Sequence, residues 1–383
     1  MNKAETKTFL ELLAEIPDYR KGNAIKYDLS EILLIGIMAI LCGADTYTGM
    51  QLWGETHIAE LREIIELNEG IPSHDVFGDV FSRIDINAVN NCFNAWLYGI
   101  KEKLSGDNES SSVVAIDGKT VRRSNTSTKR ASHIVTAFSS DLQLVLGQIC
   151  TDEKSNEITA IPKLLELLAV EDSIITIDAM GTQVAIAEKI VDKKADYILA
   201  LKENHPDMLN DIKYYAEAEM LSQPKSRLSE KGLYYQSTEK NHGRVETREC
   251  FIIDDISWLY GKERWKKLSG AALIRTKRVV NDLESTCDHY YIYSKPNMTA
   301  KEFMNAKRKH WAIENNLHWM LDVCFKEDYA HIRIGNAAVV LNMFRKLALQ
   351  LLKSDTSVKG SMQAKRQRCA WDFNYALTVI RSA

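Results

Sequence analysis

Between Val113 and Leu201 the chain breaks into short apolar runs, and on either side of that stretch the apolar residues return at helical spacing. The runs Val113–Ile116, His133–Phe138, Leu144–Ile149, Ile174–Ile177 and Tyr197–Leu201 are too short for helices and rich in β-branched residues, so they predict buried strands. Helical spacing fits between and after them at Ala160–Leu168, Gln183–Lys193 and Pro206–Leu221. Three strands, a helix, a strand, a helix and a strand make a mixed α/β core. Upstream, Lys7–Ile16, Leu29–Cys42, Thr48–Leu67 and Asn87–Leu104 predict an all-α module over residues 1–110, with Ser73-His74-Asp75 as a helix cap. Gly106, Asp107 and Ser110-Ser111-Ser112 break the periodicity and mark the boundary. Downstream, residues of about 222–298 read as a β-rich insertion, with strand-like Tyr234–Thr238, Arg248–Ile253, Ala271–Arg275 and His289–Tyr293. Ile313, Leu317, Met320, Leu321 and Cys324 then give a helix through His310–Asp322 one buried face. A last helix, Arg333–Lys353, ends the core over residues 113–353, and residues 354–383 form a basic tail carrying Lys359, Lys365, Arg366 and Arg368.

Two of the strands end in the same way. Ile116 is followed by Asp117-Gly118, and Ile177 by Asp178-Ala179. A lone Asp after a strand often caps the next turn. Two in near-identical contexts suggest two strand ends meeting in one acidic site. Carboxylates held close repel each other unless a positive charge lies between them, and a hard divalent cation is the usual answer. Glu314 supplies a third carboxylate. At about 100° per residue it falls on the border of its helix's buried face, beside Leu321 and His310, where a side chain points into a cleft. From position alone it reads equally as a surface Glu.

Composition bounds the class without naming it. A chain of 383 residues suggests two or three domains. Its 7 Cys include no C-x-x-C pair, which argues against a disulfide framework or zinc site and for a reducing compartment. The polar start Met1-Asn2-Lys3-Ala4-Glu5 is no secretory signal, and Ile32–Cys42 is too short to span a bilayer, so a cytoplasmic protein is expected. Charge is uneven: residues 1–110 hold 9 Lys+Arg against 18 Asp+Glu, and the remainder 40 against 34. The basic excess lies where phosphate contacts would be needed, although a well-solvated enzyme can show the same split.

The blocks Ala115–Thr120, Thr176–Gly181 and His310–Asp322 resemble the Asp, Asp and Glu motifs of DDE insertion-sequence transposases, and more closely the ISAs-type, or H-repeat-associated, branch. The similarity extends through Gly147–Ile158, His242–Arg248 and Ile16–Arg20, and so spans nearly the whole chain. It implies a ribonuclease H-like fold in which the first and fourth strands lie side by side, with Asp117, Asp178 and Glu314 as catalytic residues and metal ligands. It also implies Mg²⁺, replaceable by Mn²⁺ and present as two ions, together with double-stranded DNA (terminal inverted repeats and target) and a homodimer in the synapse. Related transposases carry a Tyr-x2-Arg-x3-Glu-x6-Lys signature; here Lys307, His310 and Leu321 occupy the Tyr, Arg and Lys places, leaving those DNA-contact roles unassigned. Two ions bridged by Asp117 and flanked by Asp178 and Glu314 would hold a scissile phosphate, one activating water or a DNA 3′-hydroxyl, the other stabilising the leaving oxygen.

Several residues have two readings. Lys119, Arg122, Arg123, Lys129 and Arg130 form either a solvated turn or a set of phosphate contacts. Lys202 and Arg244 are further DNA-contact candidates, as is His310, and Asn204 is a candidate helix cap. His318 can share a metal with Glu314 or simply pack against its neighbours. Trp258 and Trp265 are core residues or base-stacking platforms. The acidic helical module serves end recognition, dimerisation or both. Three other functions remain open: a structure-selective nuclease with the same chemistry, a metal-free glycosidase using paired carboxylates, and a decayed, non-catalytic DNA-binding remnant.

Overall fold

The computed structural model describes residues 9–22, 25–104, 112–127, 130–151, 157–241 and 243–381. Lys129, His242, the Asp152–Asn156 stretch and the Gly106–Ser111 part of the boundary lie outside the described residues.

The strands are β1 (Val113–Thr120), β2 (His133–Ser139), β3 (Leu144–Cys150), β4 (Ile174–Ile177), β5 (Asp196–Leu201), β6 (Tyr234–Asn241), β7 (Arg244–Ile253), β8 (Gly270–Val280) and β9 (Leu283–Tyr293). They form one sheet in the order β3-β2-β1-β4-β5-β9-β8-β7-β6. Within it, β1 pairs parallel with β4 and β4 with β5, while β1–β2 and β2–β3 are antiparallel. That five-strand order is the ribonuclease H-like arrangement, and the inserted strands extend its β5 edge through β9. The insertion is therefore part of the same sheet. Strands β8 and β9 run well past their expected ends, joined through Asn281 and Asp282, both at positive φ as a two-residue hairpin turn requires.

Side chains alternate between the faces of β1. Val114 and Ile116 enter a core formed with the helices Glu157–Leu167, Val184–Asp192 and Pro206–Tyr215. Val113 and Ala115 face the other way, toward the helices Ala300–His310 and Ala337–Ser354.

The amino-terminal helices are Phe9–Ala14, Leu29–Leu41, Tyr47–Thr56, Ile58–Leu61, His74–Arg83 and Ile86–Leu104. The single helix expected over Thr48–Leu67 is two, interrupted at His57, and Ser73 precedes a helix that periodicity alone did not show. Leu29–Leu41 is apolar on every side because it is enclosed on every side: Ile32 to Leu41 are all buried. Part of that enclosure comes from Ala337–Ser354, and one continuous core takes in residues from Phe9 to Ile380. The expected carboxy-terminal tail is instead two further helices, Met362–Trp371 and Phe373–Arg381. Two of its cations are buried against main-chain carbonyls. Lys365 Nζ donates to Leu352 O at 3.0 Å, and Arg366 Nη2 donates to Ile40 O at 3.0 Å.

Candidate active site

The register of the parallel β1–β4 pair sets Ile116 opposite Ile177, so the next residues, Asp117 and Asp178, stand side by side. Period-2 alternation puts Asp117 on the face of Val113 and Ala115, and Asp178 on the face of Ile174 and Thr176. Both acids therefore project from one face, the face covered by the helix that carries Glu314.

The two acids have opposite environments. Asp117 is held above the usual carboxylate range, at about 7, by burial and then by the charges of Asp178, Glu157 and Glu314. Its nearest cation candidate, His318, places Nδ1 3.5 Å from Asp117 Oδ2. That imidazole is itself neutral, pushed down to about 3 by burial and by Lys346 and Lys119. His318 Nε2 is buried without a hydrogen-bond partner among the described residues. Asp178 is held low, at about 2, by a hydrogen bond from His310 and by the charges of Lys307 and Lys202, against the effect of burial. His310 is itself buried; its Nε2 lies 3.3 Å from Asp178 and its Nδ1 2.8 Å from the Thr176 hydroxyl. Burial lowers the pKa of His310, and its two ring nitrogens are held between Asp178 and the Thr176 hydroxyl.

The helix bearing Glu314 is not regular. After Ala300–His310 it passes through a π-helical turn at Glu314–His318 before returning to α geometry at Trp319–Cys324. Such single turns occur where a helix must re-aim side chains, often at functional sites. Lys353 Nζ donates to Asn316 O within this turn at 2.8 Å. Lys119 Nζ donates to Asp322 Oδ1 at 2.5 Å and lies 3.2 Å from Glu327 Oε2, tying the end of β1 to the same helix. Glu314 itself is exposed. Among the described residues no three of His, Cys, Asp and Glu stand close enough together to hold a metal ion without rearrangement.

The remaining candidates fall into three groups. Lys202 is exposed after β5, close enough to Asp178 to lower its pKa. Arg122 is exposed beside Asp328, and Arg123 contacts His331 at 3.0 Å and lies over Tyr329. Arg244 is exposed at the start of β7, three strands beyond β5. Lys119 and His310 do not face solvent: two carboxylates hold the first, and Thr176 and Asp178 enclose the second. Asn204 does not cap the Pro206–Tyr215 helix; its Nδ2 donates to Ala179 O at 2.7 Å, bracing the turn after Asp178. Trp265 is buried and Trp258 stacks on Tyr215, so both belong to packing.

Sequence reasoning missed His133 and Glu157, whose Nε2 and Oε1 are 2.8 Å apart at the open end of β1. Had Gly118 a Cβ, it would stand 2.1 Å from Glu157 Oε1. It also missed Lys346, fully enclosed behind Asp117, where Nζ donates to Thr136 at 2.8 Å and to Gln148 at 2.6 Å. The only sequence signal for Glu157 was its place in the Gly147–Ile158 block.

Comparison with known proteins matches the family described as "Transposase DDE domain" over residues 108–351 and that described as "DDE_Tnp_1-associated" over residues 10–97. The chain is 38% identical to "Putative transposase YncI" of Escherichia coli O157:H7, covering 98% of this chain and 95% of that protein. It is 37% identical to "H repeat-associated putative transposase YhhI" of Escherichia coli K12, covering 98% of each. Among solved structures, the piggyBac transposase synaptic complex with hairpin DNA is similar at a TM-score of 0.46 and 10% identity, covering 97% of this chain and 76% of that one. No helix of the described residues is long and apolar enough to cross a membrane.

Proposed function

The chain belongs to the DDE transposase family, in its H-repeat-associated branch, and is a DNA transposase of insertion-sequence type; from that premise we propose that Asp117, Asp178 and Glu314 cut and rejoin DNA at the element's ends with divalent cations. The observation that carries this reading is the β1–β4 register, which sets two acids side by side under the helix of the third.

The residues present fit a hard divalent cation. The donors are carboxylate oxygens, as Mg²⁺ and Mn²⁺ prefer, and Asp117 is held near 7 first by burial and then by the negative charge of Asp178 and its neighbours, the part that a cation would offset. Asp117, Asp178 and Glu314 would hold it, with Glu314 turning inward from its exposed position. When bound, divalent cations make a nucleophile of water or a 3′-hydroxyl at neutral pH and stabilise the leaving oxygen. The protein's own part is positioning. His310 and Thr176 fix Asp178 in its ionised form, and the bond between Lys119 and Asp322 holds the Glu314 helix against β1. Lys202, Arg122, Arg123 and Arg244 are assigned to phosphate contacts because their charges are exposed. Lys119 is assigned to holding the helix and His310 to positioning Asp178.

A supercoiled donor plasmid carrying the inverted repeats that flank the reading frame tests this. With Mg²⁺ the full-length protein is expected to cut at the repeat ends and join them to a target. Cutting without joining would favour the nuclease reading, and activity that survives EDTA would overturn the metal-dependent one.

A further inference from the structure

Residues 1–110 hold only 9 Lys+Arg against 18 Asp+Glu, yet four of those cations, Arg20, Lys21, Lys26 and Arg83, line one groove of about 710 Å³. Two of the four have acids beside them: Arg20 bonds Asp18 at 2.7 Å, and Arg83 meets Asp79 at 3.0 Å. Arg20 Nη2 also donates to Tyr27 O at 2.8 Å, which ties together the two ends of the segment that carries Lys21 and Lys26. Those two lysines are exposed along the groove.

The groove continues into the catalytic part of the chain. Arg83 ends the helix whose Ser82 O accepts from Asn336 N at 2.8 Å, and a Cβ on Gly335 would stand 2.1 Å from that same oxygen. Just before Gly335, the exposed Arg333 donates through Nε to Arg123 O at 3.3 Å. Arg123 in turn contacts His331 at 3.0 Å and lies over the Tyr329 ring. A carbonyl, an imidazole and a ring hold these two guanidinium groups, and none of the three cancels their charge. Arg123 also keeps a left-handed backbone, φ 61°, that a residue with a side chain rarely adopts. It follows β1, the strand that bears Asp117. A row of exposed cations thus runs from the strand end, across the Gly335 junction, into the groove of the acidic module.

We propose that this row is one backbone-binding surface for duplex DNA, and that the amino-terminal groove grips phosphates of the same duplex whose cut end lies at Asp117 and Asp178. Lys21, Lys26, Arg123 and Arg333 carry the contacts. Guanidinium groups match pairs of phosphate oxygens and lysines act as point charges, so the surface holds a duplex whatever its sequence. The acids elsewhere on the module repel DNA and leave the groove as its point of attachment. An acidic face of a second copy would also suit the groove; the continuation of the row to the strand end favours DNA. The proposal rests on the reading of the three acids as the cleavage site.

Fluorescence anisotropy of labelled duplexes with the full-length protein, in EDTA and over a range of KCl concentrations, tests this. Each phosphate contact contributes about 0.9 to the slope of log affinity against log salt. Lys21→Gln/Lys26→Gln, shown by circular dichroism to be folded, is expected to lower the slope by roughly 2, equally for terminal-repeat and scrambled duplexes. Adding Arg123→Gln/Arg333→Gln should lower it by roughly 2 more, because one duplex spans both regions. Lys21→Arg/Lys26→Arg keeps the charges and should keep the slope. Lys193→Gln/Lys194→Gln removes two charges just before β5, at the other end of the sheet, and should also keep it. A wild-type slope in the folded Lys21→Gln/Lys26→Gln protein overturns the role of the groove. Loss of self-association in that variant by sedimentation, with the slope unchanged, would make the groove an interface between copies instead. A wild-type protein that binds with the expected slope but never cuts terminal-repeat DNA in Mg²⁺ overturns the cleavage reading and not the groove.

Discussion

Asp117 and Asp178 show how one motif, an apolar strand closed by an Asp, yields two different acids once neighbours are counted. Asp178 has a hydrogen bond from His310 and cations nearby; Asp117 has burial and three carboxylates around it. The consequence for stability has a definite sign. A folded-state pKa of about 7 against an unfolded value of 3.8 means the native protein binds this proton more tightly, so stability falls as pH rises between those values and is flat above them. Asp117→Asn is therefore expected to be more stable than wild type in EDTA at pH 8, by on the order of 2–4 kcal/mol, and equal to it near pH 4. Denaturant melts at the two pH values check this, and a variant less stable at pH 8 would contradict the assigned environment. The two aspartates were legible because each breaks an apolar run at its last position. Glu157 and His133 were not, because an acid heading one helix and a histidine on another strand have no shared period; only the sheet brings them to Gly118.

At the scale of elements, legibility followed burial. Strands β2 to β5 lie in the interior of the sheet or against both helical layers, so their apolar runs mark their extents closely, whereas β1 runs four residues past its apolar run, through Asp117 to Thr120. The outer half of β9 is exposed and that of β8 largely half-buried, and they carry residues such as Lys277, Arg278, Glu284 and Ser285, leaving no alternation to read. The π turn at Glu314–His318 was hidden for another reason: one extra residue per turn leaves Ile313, Leu317 and Leu321 buried while shifting everything between them. The junction between the amino-terminal helices and Ala337–Ser354 was equally invisible. There Asn336 donates through its main-chain N to Ser82 O at 2.8 Å and through Nδ2 to Ile84 O at 2.9 Å. Gly335 precedes it at φ 52°, where a Cβ would stand 2.1 Å from Ser82 O. Both the left-handed backbone and the close carbonyl demand glycine. Gly335→Ala should cost roughly 2–4 kcal/mol, a clear fall in Tm by calorimetry, and an unchanged Tm would show the junction to be looser than described.

Taken whole, the molecule is less divisible than its sequence implies. The composition shift near residue 110 is real, and the two family matches meet across it, yet one core runs from Phe9 through Ala337–Ser354 to Ile380. The acidic helices therefore buttress the long helix whose Lys346 and Lys353 stand behind Asp117 and the π turn. We propose that they also recognise or pair DNA ends, the exposed cations of the downstream part supplying phosphate contacts that weaken with salt. DNA cleavage by this protein requires the three acids to act together. The most direct test of this is single-turnover cleavage of a labelled terminal-repeat duplex in Mg²⁺ by wild type, Asp117→Asn, Asp178→Asn and Glu314→Gln, each first shown by circular dichroism to be folded. Loss of more than about a hundredfold in all three variants is the predicted result, since removing one charged ligand dismantles the site. Near-wild-type cleavage by any folded one of them would contradict it.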